Sequence, residues 1–199
     1  MSMKKIVFAL SLMMVCTTIM GQTAKSVLDK AAAAVSNKNG VSANFTMTGG
    51  IGNASGTIAV KGKKFQATTA IANIWFDGKT MWTYMKKNDE VNVTTPSSAQ
   101  LQKINPYNFI NLYKNGYTMT MSQSAASYTV HLTDQKNNKI EELFITIDKK
   151  SYYPTQVKML QNKKWTTFDI SNLKAQTLAD AMFTFNSKDF PSAEVIDLR

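Results

Sequence analysis

Apolar and polar residues alternate with a period of two along most of this chain. In residues 41–48, Val41, Ala43, Phe45 and Met47 are apolar, and Ser42, Asn44, Thr46 and Thr48 between them are polar. Such a run predicts a strand with one face for a core and one for water. Comparable runs predict strands at 56–61, 64–69, 90–95, 117–121, 128–133, 140–148, 155–161, 165–173 and 182–185, with turns such as Asn115-Gly116 and Gln161-Asn162 between them. Two stretches break the pattern. Residues 24–35 place Val27, Leu28, Ala31, Ala32 and Val35 at helical spacing, and Asn39-Gly40 ends that helix. In mid-chain, Pro96-Ser97-Ser98 leads into 99–104 and Asn105-Pro106 into 107–114, where Asn as N-cap and Pro at the first helical position predict short helices. Leu101, Ile104, Phe109 and Ile110 make these helices strongly apolar, which suits a cover over a sheet.

Residues 71–84 depart from simple alternation. The turn Asp77-Gly78-Lys79-Thr80 joins two runs that carry Ile74, Trp75, Phe76, Met81, Trp82 and Tyr84. Asp-Gly between such runs predicts a hairpin, because Gly accepts φ > 0. Successive strand residues face opposite ways, so bulk at both Trp75 and Phe76, and at both Met81 and Trp82, leaves neither face suited to water. The pattern as a whole predicts a mainly β, α+β architecture: one large curved antiparallel sheet, with an N-terminal helix and short mid-chain helices against one face.

Lys4 and Lys5 ahead of the apolar run 6–15 read as a signal peptide spanning 1–21, with 22–199 as one domain. Cys16, the only cysteine, falls in that signal. The mature chain therefore has no thiol for a disulfide or a metal. Removing Lys4 and Lys5 lowers the formal charge from +10 to +8, which favours anionic partners. Arg199 is the only arginine, so the bidentate reading of phosphates and bases is almost unavailable and nucleic acid is not an expected partner. Lysine doublets at 63–64, 86–87, 149–150 and 163–164 adjoin turns; they suit protection of sheet edges or contact with anionic lipid head groups at one rim.

Few residues could do catalysis. His131, the only histidine, sits in a polar strand position, and Glu141-Glu142 are adjacent in a strand, so their side chains diverge. Gly78-Lys79-Thr80 imitates a phosphate-binding loop, but that loop needs glycine where Asn73 stands. No catalytic residue, metal or cofactor is expected. What the chain has in abundance is soft apolar bulk, twelve methionines and ten phenylalanines among it, and methionine fills irregular or changing volumes.

The segment Asp77-Gly78-Lys79-Thr80-Met81-Trp82-Thr83-Tyr84 leading into residues 91–94 resembles the hairpin of the periplasmic outer-membrane lipoprotein-sorting carriers called LolA. Residues 41–46, 56–61 with Phe65, and Phe183-Thr184-Phe185 support the likeness by their order. It implies an unclosed antiparallel β-barrel whose concave apolar face, lidded by helices, holds acyl chains. The protein would then be a monomeric periplasmic carrier moving acylated lipoproteins from an inner-membrane releasing transporter to an outer-membrane acceptor. The expected lining is Phe45, Met47, Ile58, Phe65, Trp75, Trp82 and Tyr84 from the sheet, with Leu101, Ile104, Phe109 and Ile110 from the lid. A one-residue change of parity would exchange Trp75 and Trp82 for Phe76 and Met81. One departure stands out: where studied carriers have an Arg-Pro tied to lid closure, this chain reads Lys61-Gly62-Lys63-Lys64, and lysine lacks the planar fork. A lipid-binding sensor of the same fold, or a secreted hydrolase, are the alternative functions.

Overall fold

The alternating runs pair into one continuous sheet of twelve strands in the computed structural model, which describes residues 22–97, 100–101 and 111–199. After helix α1 (Ala24–Val35) come β1 (Val41–Gly49), β2 (Ala54–Lys61), β3 (Lys64–Thr69), β4 (Ala72–Phe76), β5 (Met81–Met85) and β6 (Glu90–Thr94). The second half supplies β7 (Tyr117–Gln123), β8 (Ser127–Asp134), β9 (Glu142–Asp148), β10 (Pro154–Gln161), β11 (Lys164–Ala175) and β12 (Glu194–Asp197). The strand order is β12-β6-β5-β4-β3-β2-β1-β11-β10-β9-β8-β7, so β1 and β11 join two meanders at the centre. The sheet curves without closing, and β12 and β7 are its edges. Register shifts at Ser42/Asn44 against β11 and at Pro154/Gln156 against β9 add local twist, with Asn172 at φ 52° inside the first.

Cross-strand register assigns every side chain to a face. Phe45 lies opposite Gly56 and Ile170, Val60 opposite Phe65, Phe65 opposite Phe76, and Phe76 opposite Met81. All of these share the face on which α1 lies, called here the inner face. Thr23 caps α1, its Oγ1 accepting from the Ser26 N–H at 3.1 Å, and the helix buries Val27, Leu28 and Ala31 against β7–β10. Beneath it Val130, Leu132, Leu143, Ile145 and Ile147 are fully buried. A second cluster, Val41, Ala43, Ile58, Val60, Phe65 and Phe76, continues along the inner face of β1–β5, and Ile170 packs against both.

The C-terminal segment departs from expectation. The alternation at 182–185 predicts a strand, but Asp180–Phe183 forms a 3₁₀ helix lying across the outer face. Phe183 is fully buried against Ala59 and Leu178. Lys61 Nζ donates to the Leu178 carbonyl at 2.8 Å, and Lys61 and Lys64 hold the Asp180 carboxylate at 2.9 and 3.3 Å. Those two ammonium groups keep the Asp180 carboxyl below the usual carboxylate range. The chain then ends in β12, a strand unmarked in the sequence pattern, which runs parallel to β6 in an otherwise antiparallel sheet.

Of the two expected mid-chain helices, residues 98–99 and 102–110 lie outside the described residues, as does the expected signal peptide at 1–21. The described ends of the mid-chain segment lie on the two clusters. Leu101 packs on the β1–β5 cluster, and Leu112, at the start of a 3₁₀ turn (Leu112–Lys114), packs on the cluster under α1.

Tyr113 of that turn donates its hydroxyl to Asp29 of α1, and Tyr117 donates to the Ile140 carbonyl at 2.9 Å. Both phenols are pushed up to about 12, Tyr113 by burial and then by Asp29, Tyr117 by burial and then by the charge of Asp134. A phenol raised in the folded state adds stability that is fully present below its ordinary pKa of 10 and is lost as pH rises through the folded value. Stability is therefore expected to fall between pH 10 and about 12. Urea midpoints across that range check it, and Tyr113→Phe should flatten part of the slope.

Candidate functional site

Helix α1 fills the inner face over β7–β10; among the described residues no helix of that length lies on the inner face of β1–β5, where Leu101 packs. Its register positions are Val41, Ala43, Phe45 and Met47 on β1; Ala54, Gly56, Ile58 and Val60 on β2; and Phe65, Ala67 and Thr69 on β3. Ala72, Ile74 and Phe76 on β4, with Met81, Thr83 and Met85 on β5, complete the set. None carries a charge. Burial is graded across this wall: Val41 and Phe65 are fully buried, while Phe45, Met47, Ile74, Met81 and Met85 are only half-buried. Phe65 and Phe76 form its floor, their ring centroids 5.4 Å apart and tilted by 38°. An uncharged wall of aliphatic, aromatic and methionine side chains gains free energy by covering hydrocarbon and has nothing to neutralise a charged ligand.

The expected lining residues fall into three groups. Phe45, Met47, Ile58 and Phe65 share the inner face, and Leu101 packs on the same cluster. Ile104, Phe109 and Ile110 lie outside the described residues. Trp75, Trp82 and Tyr84 are a correction: they point to the outer face, and Ile74, Phe76 and Met81 take the inner one. The cause is the C-terminal segment. Phe190 packs on Trp75 and Tyr84 at 5.5 and 4.6 Å between centroids, and Phe185 on Trp75 at 5.6 Å. Val91 and Val93 of β6 follow the same parity and are buried there. At this end of the sheet the outer face is the drier one, so the most apolar parity of the hairpin and β6 marks a packed layer.

His131 lies on the outer face of β8, where it stacks on Phe144 at 4.0 Å and its Nε2 meets Glu142 Oε2 at 2.9 Å. Lys61 and Lys64, from the stretch that departs from the Arg-Pro pattern, serve the C-terminal segment through Asp180.

The family model for the outer membrane lipoprotein carrier protein LolA matches residues 16–163. The chain belongs to the LolA family. An uncharacterized conserved protein from Thermus thermophilus has the same fold, with a TM-score of 0.61 at 12% identity over 88% of this chain and 99% of that one. MucB aligns with a TM-score of 0.50 at 10% identity, over 82% of this chain and 63% of its own. A LolA superfamily protein from Nitrosomonas europaea aligns at 0.45 with 13% identity, over 82% of this chain and 98% of that one. No curated protein matches the sequence. This LolA family member shares its fold with the Thermus thermophilus protein at little sequence identity.

Proposed function

We propose that this protein carries acylated lipoproteins through the periplasm from the inner to the outer membrane, holding their acyl chains against the inner face of β1–β5. The observation that carries the reading is the uncharged, half-buried wall of Phe45, Met47, Ile74 and Met81 beside a fully packed half-sheet. Burying hydrocarbon contributes about 0.8 kcal/mol per CH₂, so a 16-carbon chain is worth on the order of 12 kcal/mol and does not cross water unshielded. A carrier must match that burial and still release the chain. Methionine suits both demands, because its unbranched, polarizable side chain repacks at low cost. Export by a signal peptide at 1–21 and loading by an inner-membrane lipoprotein-releasing transporter complete the proposal.

Native mass spectrometry with lipid extraction, on protein isolated from its host periplasm, tests the reading. Lipoprotein or acyl-chain adducts are the expected result. A consistently empty protein that also takes up no lipoprotein from membranes would overturn it. Depletion then separates a carrier from a sensor, since loss of a carrier strands many lipoproteins at the inner membrane.

A further inference from the structure

The end of the sheet where β1 stops and β11 starts carries the β5–β6, β3–β4, β1–β2, β10–β11 and β8–β9 turns side by side, and large apolar side chains in or beside three of them face solvent. Ile51 in the β1–β2 turn is 48% exposed, Ile71 in the β3–β4 turn 65%, and Trp165 beside the β10–β11 turn 40%. The contacts between these turns are direct. The Gly50 N–H donates to the Trp165 carbonyl at 2.8 Å, and the Ile51 N–H to Thr166 Oγ1 at 3.3 Å. Gly49 permits this approach: it holds φ 123°, and a Cβ there would lie 2.3 Å from the Trp165 carbonyl oxygen. On the other side, the Lys86 N–H donates to the Ile71 carbonyl at 3.1 Å, which joins the β5–β6 turn to the row.

Lysines bracket the apolar tips. Lys163 and Lys164 stand beside Trp165, and Lys86 and Lys87 beside Ile71, all four exposed. Lys158 adds a fifth cation, 5.4 Å from the Trp165 ring centroid. The nearby acids are engaged: Asp89 accepts from the Tyr84 hydroxyl, Glu90 from Asn88, and Glu141 from the Lys163 N–H. The opposite end of the sheet has lysines too, at Lys63, Lys79, Lys149 and Lys150, but its turns expose no large apolar residue. Elsewhere among the described residues, large exposed apolar side chains occur only at Met182, Val195 and Leu198 of the C-terminal segment.

We propose that this rim docks peripherally on an anionic lipid bilayer, with Ile51, Ile71 and Trp165 entering the head-group layer and Lys86, Lys87, Lys163 and Lys164 meeting lipid phosphates. Ile51 and Ile71 are separate apolar tips on adjacent turns, and Trp165 lies beside them on the outer face of β11 with its ring 5.8 Å from that of Phe144; such side chains suit a soft surface that each can enter alone. Tryptophan prefers the membrane interface, and flexible lysine stems keep their charge among head groups while the tips sink. Each lysine near an anionic surface adds attraction that salt screens within about 10 Å. Among the described residues no helix is long and apolar enough to cross a membrane. The proposal goes beyond the carrier reading, because it concerns the outer rim and holds for any cargo.

Flotation with protein-free vesicles tests it, comparing phosphatidylglycerol-containing with pure phosphatidylcholine vesicles at low and high salt. The protein should float with the anionic vesicles, less so at high salt, and Ile51→Ser with Ile71→Ser should weaken partitioning about tenfold or more. Brominated lipid should quench part of the tryptophan emission, and Trp165→Phe should remove that part while the buried Trp75 stays silent. The proposal is overturned if the protein does not float with anionic vesicles, if the double variant floats as well as the parent, or if quenching survives Trp165→Phe. Lipoprotein uptake measured on the same variants should be unchanged, so failure of the rim and failure of the cargo wall give different results.

Discussion

Phe183→Ala is expected to destabilise the fold by about 3–5 kcal/mol, the range for truncating a buried phenylalanine, and to lower the melting temperature by roughly 10 °C in a domain of this size. Phe183 is fully buried against Ala59 and Leu178 on the outer face of β2, although it comes from a 3₁₀ helix with few backbone partners. Its loss reaches further than its own cavity. The segment it anchors also brings Phe185 and Phe190 onto Trp75 and Tyr84 and covers the parity that buries Val91 and Val93. Near-ultraviolet circular dichroism should therefore lose signal from the Trp75 environment together with stability. Met182→Ala is the control: Met182 is 40% exposed in the same helix, and its truncation should stay within about 0.5 kcal/mol. Equal urea midpoints for the two variants would show that the segment does not close the outer face.

Ile74→Glu with Met81→Glu is expected to weaken uptake of an acylated lipoprotein by about a hundredfold or more while Trp82→Ala leaves uptake within a few-fold of the parent. Ile74 and Met81 are half-buried on the inner wall, where a carboxylate would face hydrocarbon and forfeit contact with several methylenes at about 0.8 kcal/mol each. Trp82 lies opposite Trp75 in the register and so faces the C-terminal layer. Transfer of a fluorescent acyl lipopeptide from detergent to the protein reads both variants, and circular dichroism confirms that each is folded. The reverse order, with Trp82 essential and the inner pair dispensable, would put the cargo on the other side of the hairpin.

Much of the architecture was legible in the sequence because it rests on local periodicity. The alternation of Val41 to Thr48 became β1, the spacing of Val27, Leu28, Ala31 and Val35 became the buried stripe of α1, and Asp77-Gly78 became the expected hairpin turn. Each depends on residues within a few positions of one another, where chain geometry alone relates pattern to face. The terminal strands were harder. Residues 182–185 alternate because Phe183 and Phe185 both reach toward the sheet, yet no neighbouring strand pairs with them; β12, with Val195 half in solvent, has too weak a pattern to announce itself.

The candidate site divides along the same line. The shared face of Phe45, Met47, Ile58 and Phe65 was readable because each sits in a strand whose other parity is mostly polar, Ala59 apart, so only one assignment buries most of the apolar set. The hairpin gave no such choice, since Trp75 and Phe76 compete on adjacent positions and either parity would bury bulk.

Local pattern thus established a single mainly β sheet with a helical filler, the shared face of Phe45, Met47, Ile58 and Phe65, and a likeness to the LolA family centred on the 77–84 hairpin. Long-range packing settled which side of that hairpin faces the wall, what covers the other side, and that Ile51, Ile71 and Trp165 share one rim. These depend on partners more than a hundred residues apart, Ala59 with Phe183 and Gly50 with Trp165. Periodicity states that a residue has a buried side; only the packed chain states what lies against it.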